Sequence, residues 1–259
     1  MNSAEVKAMA LKYGADIVGI ASMASFAGTA AANHPQSIFK QGRCVIVIGR
    51  RILRGTTQIN ENCNVKKNDP YHFFGFTQLE DQFLAKTTYD LGIWIESQGF
   101  EAVPIFGYDA EAAGRFELAD PVVPGKAAPN VYVDYRIAAQ AAGLGSIGRH
   151  GLFITPEFGT LQRFAMLICD DDLECDQPCE YDFCCDCQRC IESCPLQALI
   201  KHDSSVQRLD QRCKVCSAGA IPTDIGRFET VDRFAAICSL SCNQALKERN
   251  ILTHCTTDF

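Results

Sequence analysis

A chain of 259 residues with 47% hydrophobic content is long enough to bury a substantial core, as one large domain or one domain plus a small module, and its composition excludes disorder as the default. A formal charge of -7 and the scatter of its 24 Lys and Arg argue against a nucleic-acid partner, which calls for clustered cations that neutralise phosphates. No basic stretch after Met1 leads into an apolar core and no eighteen-residue apolar span occurs, so a cytoplasmic protein with no membrane partner is expected.

Val6, Met9, Ala10 and Tyr13 recur at helical intervals and stop at Gly14, predicting a helix over 3–13, and Asp16 to Ile20 then reads as a strand. Cys44 to Gly49 is an unbroken apolar run, expected as an interior strand covered on both faces. Arg54 to Tyr71 is polar and expected to be irregular. Gln78 to Gln98 predicts one long helix with the apolar stripe Leu79, Phe83, Leu91 and Ile95, ended by Gly99 and followed by a strand from Phe100 to Ile105. Two helices each feeding a strand imply layered α/β or α+β packing. Pro121, Pro124, Gly125 and Pro129 mark a loop between Asp120 and Asn130. Ile137 to Ala142 predicts a short helix closed by Gly143, and Leu161 to Ile168 another apolar strand. Near Asp170 the composition shifts to acids interleaved with cysteines. The boundary between an α/β domain, 1–169, and a cysteine-rich module, 170–259, is placed there.

The chain has 15 cysteines, an odd number without an export signal, which suits a reducing compartment better than a disulfide scaffold. Cys184, Cys187, Cys190 and Cys194, followed by Pro195, form the C-x2-C-x2-C-x3-C-P run in which three thiolates hold one 4Fe-4S cluster and the fourth reaches its neighbour. Cys213, Cys216, Cys238 and Cys242 form a second, less regular block. The exchange found in two-cluster ferredoxins assigns Cys184, Cys187, Cys190 and Cys242 to one cluster, and Cys194, Cys213, Cys216 and Cys238 to the other. A pair of four-cysteine zinc sites is the alternative, against which the regular first block argues. Cys44, Cys63, Cys169, Cys175, Cys179, Cys185 and Cys255 remain as small hydrophobes or free thiols, with Cys175 and Cys179 near enough in sequence to act as substitute ligands.

Gly143-Leu144-Gly145-Ser146-Ile147-Gly148 matches the dinucleotide fingerprint in letters, but helical residues precede it where the fingerprint needs a strand. Its glycines imply either a close approach of backbone to a large flat ligand or close packing of loop on sheet. Arg149 can pair with a carboxylate or phosphate and His150 can move a proton near neutral pH, a surface ion pair or a satisfied hydrogen bond being the plainer role for each. Tyr71 and His72, beside Phe73 and Phe74, offer either a pocket wall or a hydrophobic anchor. Asp134 offers acid chemistry or a helix cap. No HExxH, Walker A loop or Gly-x-Ser-x-Gly elbow occurs, which removes the hydrolases built on them.

Ala139 to Gly148, continuing through Leu152 to Gly159 and into the block from Cys184 to Pro195, resembles epoxyqueuosine reductase and its reductive-dehalogenase relatives; Gly14 to Ile20 extends the likeness to the N-terminus. The resemblance implies an α+β architecture: a nitroreductase-like α/β domain packed on a ferredoxin-like two-cluster module, with the clusters feeding electrons to a cobalamin at the junction. It places Gly145, Ile147, Gly148 and Arg149 near that cofactor. The chain departs from the pattern at Ser146, at Arg149-His150 and at Asn243, where the resemblance expects tryptophan, lysine-asparagine and proline. It assigns no catalytic acid, because Asp134 stands at a different spacing.

The function implied is low-potential electron transfer from two 4Fe-4S clusters to a corrinoid, or in second place a flavin, that reduces a small substrate. The alternative is a cofactor-free electron-transfer or reductive-activation protein serving a partner such as a corrinoid protein, to which the acids from Asp170 to Glu174 lend a docking face. A ferredoxin or flavodoxin is the expected donor. Acidic charge and the short tail beyond Cys242 argue against tRNA as substrate.

Overall fold

The computed structural model describes residues 1–58, 79–106, 131–202, 205–213, 215–216, 221–225 and 228–253. In chain order the elements are α1 (Ser3–Lys12), β1 (Ile17–Ser22), α2 (Pro35–Ile38), β2 (Cys44–Arg51), α3 (Gly55–Gln58), a π-helical turn (Leu79–Leu84) running into α4 (Ala85–Ser97), and β3 (Ala102–Phe106). Next come α5 (Tyr135–Ala141), β4 (Ser146–Ile147), β5 (Phe153–Ile154), β6 (Gln162–Cys169), α6 (Arg189–Glu192), β7 (Leu199–Lys201) and β8 (Val206–Arg208). Last are α7 (Asp210–Cys213), β9 (Ile221–Ile225), β10 (Phe228–Asp232) and α8 (Ile237–Glu248). Tyr71, His72, Cys63, Cys255 and the loop expected at 120–130 lie outside the described residues.

Two compact units emerge, each drawing on three stretches of chain: Met1–Arg50, Glu80–Leu144 and Arg163–Cys179 in the first, Arg51–Leu79, Gly145–Gln162 and Glu180–Phe259 in the second. β6 is covalently continuous with the second unit yet pairs with β2 and β3 in the first. The fold is mixed α/β.

The first unit is a four-stranded sheet in the order β1-β2-β6-β3. β1 pairs antiparallel with β2 from Ile17↔Gly49 to Ser22↔Cys44, and β3 pairs antiparallel with β6 from Ala102↔Cys169 to Phe106↔Ala165. Cys44 to Gly49 is buried without a break, as expected of an interior strand. Alternation sends Cys44, Ile46 and Ile48 into one core with Leu167 and Cys169 of β6, Val6 and Ala10 of α1, and Leu84, Leu91 and Ile95 of the long helix. Each such Leu or Ile contributes about 1.5–3 kcal/mol on burial. Asn2 caps α1 in a capping box with Glu5, whose amide donates to Asn2 Oδ1 at 2.8 Å. α5 packs on β1; a Cβ at Gly19 would stand 2.3 Å from the Ala142 carbonyl oxygen, so glycine lets the helix end approach the strand.

The long helix departs from expectation at one point. Leu91 and Ile95 are buried, but Phe83 is 42% exposed and Leu84 is fully buried in its place. The π-helical turn explains it: one extra residue in a turn rotates every earlier side chain against the α-helical stripe.

In the acidic run, Asp170 accepts from the Glu101 amide at 2.9 Å, and Asp176 accepts from the Ile20 amide at 2.8 Å while pairing with Lys7 at 2.5 Å. These acids hold the first unit together. No helix among the described residues is long and apolar enough to cross a membrane.

Candidate metal centre

The second unit carries both cysteine blocks. Cys184 opens the first in a tight turn: its amide donates to Asp182 Oδ1 at 2.8 Å and its carbonyl accepts from the Cys187 amide at 2.7 Å. Cys190 lies in α6, and Cys194 just beyond it, where its sulfur accepts from the Ala198 amide at 3.3 Å. Cys213 ends α7 and Cys216 follows in a turn, its amide donating to the Cys213 carbonyl at 3.1 Å. Cys238 and Cys242 stand four apart on α8, which puts both on one face of the helix. α8 packs on α6.

The thiols sort by their electrostatic neighbours. Burial pushes Cys190 up to about 12, and Cys184, Cys238 and Cys187 add to the rise. Burial also raises Cys242, followed by the charges of Cys184, Cys190, Cys187 and Cys238. Cys213 is raised by burial and by Cys194 and Cys216. Cys238, raised first by burial, feels Cys213 and Cys216. One group thus contains Cys184, Cys187, Cys190 and Cys242, the other Cys194, Cys213, Cys216 and Cys238, with Cys190, Cys238 and Cys242 near enough to link them. Cys190 and Cys238 share a buried cluster with Leu199 and Ala236, against which Cys216 packs.

Four thiols converging in a desolvated place must keep their protons or receive a cationic core that takes the protons' place. All the described cysteines are free. No three His, Cys, Asp or Glu side chains among the described residues close on a point tightly enough to ligate a single ion. A 4Fe-4S cluster is wider than one ion and takes its four thiolates around a larger perimeter.

The remaining thiols have separate settings. Cys185 is exposed, with a left-handed φ of 41°. Cys175 donates to the Leu173 carbonyl at 3.3 Å, and the Cys179 amide donates to the Gln140 carbonyl at 2.9 Å. Cys44 and Cys169 are buried partners: their hydrogen bond is the chief cause that raises Cys44 and lowers Cys169.

The glycine segment forms the β4–β5 hairpin, pairing Ser146 with Ile154 and Ile147 with Phe153. It follows a helix and opens no helix, so the dinucleotide fingerprint has no structural counterpart. A Cβ at Gly145 would lie 2.0 Å from the Ile154 carbonyl oxygen, and one at Gly148 would lie 2.7 Å from Ile154 Cδ1 and 2.8 Å from His150 Cε1. Close packing of the chain on itself therefore requires both glycines. Ile147 is 40% exposed. The Arg149 amide donates to Cys184 Sγ at 3.3 Å, Nη1 donates to the Cys187 carbonyl at 3.3 Å, and Nη2 donates to the Cys185 carbonyl.

His150 does not have the neutral-pH proton chemistry open to it in sequence. It is 1% exposed, and burial, then the charge of Arg233, lowers its pKa to about 3. Its Nδ1 accepts from the Leu152 amide at 3.1 Å. Asp134 is a helix cap: Oδ1 accepts from the Arg136 amide at 2.8 Å, and the carboxylate forms a buried pair with the Arg136 guanidinium at 2.8 Å.

Two residues carry roles invisible in the sequence. Arg233 donates to the His150 carbonyl at 2.8 Å and its charge opposes the rise of Cys213 and Cys238. Asn243, at the expected proline position, accepts from the Thr160 amide at 2.9 Å and donates to Thr160 Oγ1 at 2.8 Å, while Ser239 Oγ meets the same hydroxyl at 2.6 Å. The helix that bears Cys238 and Cys242 is thereby tied to the segment after β5. Only the departure from proline hinted at Asn243.

No family model matches the chain. Its sequence is 35% identical over 115 residues to an epoxyqueuosine reductase of Lactococcus garvieae, covering 42% of this chain and 31% of that protein. It is 40% identical over 81 residues to a tetrachloroethene reductive dehalogenase of Dehalobacter restrictus, covering 30% of this chain and 14% of the relative. Among solved structures, epoxyqueuosine reductase from Streptococcus thermophilus superposes with a TM-score of 0.54 at 18% identity, over 92% of this chain and 65% of that one. A reductive dehalogenase described as suggesting a mechanism for B12-dependent dehalogenation superposes at 0.51 and 16% identity, over 81% of this chain and 28% of that one. The chain thus spans about a third of the first curated relative and about a seventh of the second.

Proposed function

We propose, from the chain's likeness to epoxyqueuosine reductases and reductive dehalogenases, that it is an iron-sulfur oxidoreductase delivering low-potential electrons to a corrinoid that reduces a small substrate. The observation that carries the reading is the sorting of eight cysteines into two groups of four within one unit. Cys184, Cys187, Cys190 and Cys242 would hold one 4Fe-4S cluster, and Cys194, Cys213, Cys216 and Cys238 the other. Bound clusters supply one-electron transfer at potentials set by burial, nearby charge and hydrogen bonds to sulfur. The protein's own contribution is that setting: thiols in desolvated ground, Arg233 beside Cys213 and Cys238, and backbone amides on Cys184 and Cys194. In this reading residues 1–169 act as a nitroreductase-like α/β domain and 170–259 as a ferredoxin-like module, supplied by a ferredoxin or flavodoxin in the cytoplasm.

The corrinoid, with flavin in second place, is proposed from the B12-dependent relative. Gly145 and Gly148 do not form a cradle for it, since the chain itself fills the space their missing side chains leave, and we assign no step to it. That packing favours a second reading, an electron-transfer or reductive-activation protein that serves a corrinoid partner. Anaerobic purification, iron and cobalt analysis, and a visible spectrum after incubation with cobalamin or flavin separate the two. Eight irons per chain with a retained second chromophore supports the reductase. Eight irons alone supports the carrier, and a chain that takes up zinc in place of iron refutes both.

A further inference from the structure

We propose that Arg149 is a positioning residue for the first thiol group, clamping the Cys184–Cys187 loop and raising the reduction potential of the cluster held there. The inference rests on the iron-sulfur reading above and deepens it. Arg149 sits in the turn from Gly148 to Gly151, closed by the Gly151 amide donating to the Gly148 carbonyl at 2.8 Å. From there it makes three contacts with one loop: its amide on Cys184 Sγ at 3.3 Å, and its guanidinium on the carbonyls of Cys187, at 3.3 Å, and Cys185. The left-handed backbone of Cys185, φ 41°, is part of the turn whose carbonyl the guanidinium grips. This is fork recognition of two fixed oxygens, which lysine cannot reproduce.

Both carbonyls are neutral, so these hydrogen bonds leave the positive charge of Arg149 uncancelled beside Cys184. On the other side of Cys184 stands Asp182, which accepts from its amide at 2.8 Å. Reduction adds an electron to a cluster. A nearby cation and an N–H directed at sulfur stabilise the added charge, and a nearby carboxylate destabilises it. Removing Arg149 takes one cation from beside Cys184, where Arg249 still donates to the Phe183 carbonyl at 2.7 Å.

The test is a dithionite titration of the iron-loaded protein followed by electron paramagnetic resonance, on wild type, Arg149→Gln and Arg149→Lys. The midpoint displaced in a Cys187→Ser variant identifies the first cluster. Arg149→Gln is expected to lower that midpoint alone, by about tenfold in the reduction equilibrium, or about 59 mV for a one-electron couple; Arg149→Lys falls between. Selective loss of the first cluster's irons in Arg149→Gln likewise supports the clamp. Eight irons with both midpoints unmoved, or both moved equally, overturns it. If Arg149→Gln does not fold, Arg149→Lys decides: identity with wild type in midpoint and line shape overturns the proposal. A wild-type chain that binds no iron defeats the underlying iron-sulfur reading instead, and this inference with it.

Discussion

His150 makes the protein lose stability in mild acid, because the fold holds its ring neutral. Burial first, and the charge of Arg233 second, hold its folded pKa at about 3 against an ordinary value of 6.5. Between those values the unfolded chain binds a proton at His150 and the folded chain does not. The stability that the neutral ring contributes is therefore complete above about pH 6.5 and falls as the pH drops toward 3. At about pH 5 the linkage amounts to about 2 kcal/mol relative to about pH 7.5, and this figure depends on the unfolded pKa alone because the folded group is still neutral at both. Urea unfolding at the two pH values, with wild type and His150→Gln at matched iron content, isolates the effect from acid loss of iron, which both share. The variant should lose about 2 kcal/mol less than wild type on going to about pH 5. Equal losses in the two proteins would refute the claim that His150 is held neutral in the fold.

Cys242→Ser should remove about half of the iron and spare the cluster served by Cys213 and Cys216, read by iron analysis and electron paramagnetic resonance, because Cys242 neighbours the first block in space. Asn243→Ala strands the Thr160 amide and removes a hydrogen bond from its hydroxyl; a loss of about 1–3 kcal/mol in chemical unfolding is expected. Leu91→Ala, fully buried in the core of the sheet unit, should cost about 2–5 kcal/mol by the same assay. Gly145→Ala cannot seat its methyl 2.0 Å from the Ile154 carbonyl oxygen, so the β4–β5 hairpin must distort, seen as loss of hydrogen-exchange protection at the paired residues Ser146 and Ile154.

The long helix shows why the reading of periodicity stops where it does. Spacing located Leu91 and Ile95 on the buried face, because a regular helix repeats its geometry every 3.6 residues. It misassigned Phe83, since one π-helical turn shifts the stripe and leaves no mark in a pattern of apolar letters. The glycines of 143–148 show a related limit. Their presence announces a close approach, but whether the neighbour is a ligand or the chain's own Ile154 is a matter of which strand returns beside them. The acids from Asp170 to Glu174 likewise read as a docking face, whereas Asp170 is engaged by the backbone amide of Glu101, far away in sequence.

What the sequence by itself determined is local: the strand at Cys44–Gly49, the helix at Ser3–Lys12, and the two cysteine blocks, whose spacing already pointed to a shared pair of clusters. Each depends on residues within a few positions of one another, and the chemistry of thiolates depends on residue type alone. Tertiary structure decided which thiols are neighbours, that Arg149 turns onto the cysteine loop, that Arg233 stands by Cys213 and Cys238, and that Asn243 ties α8 to Thr160. The Arg149 and Asn243 contacts join residues 35 to 83 positions apart, and only the return of one element against another brings such groups within a hydrogen bond's reach.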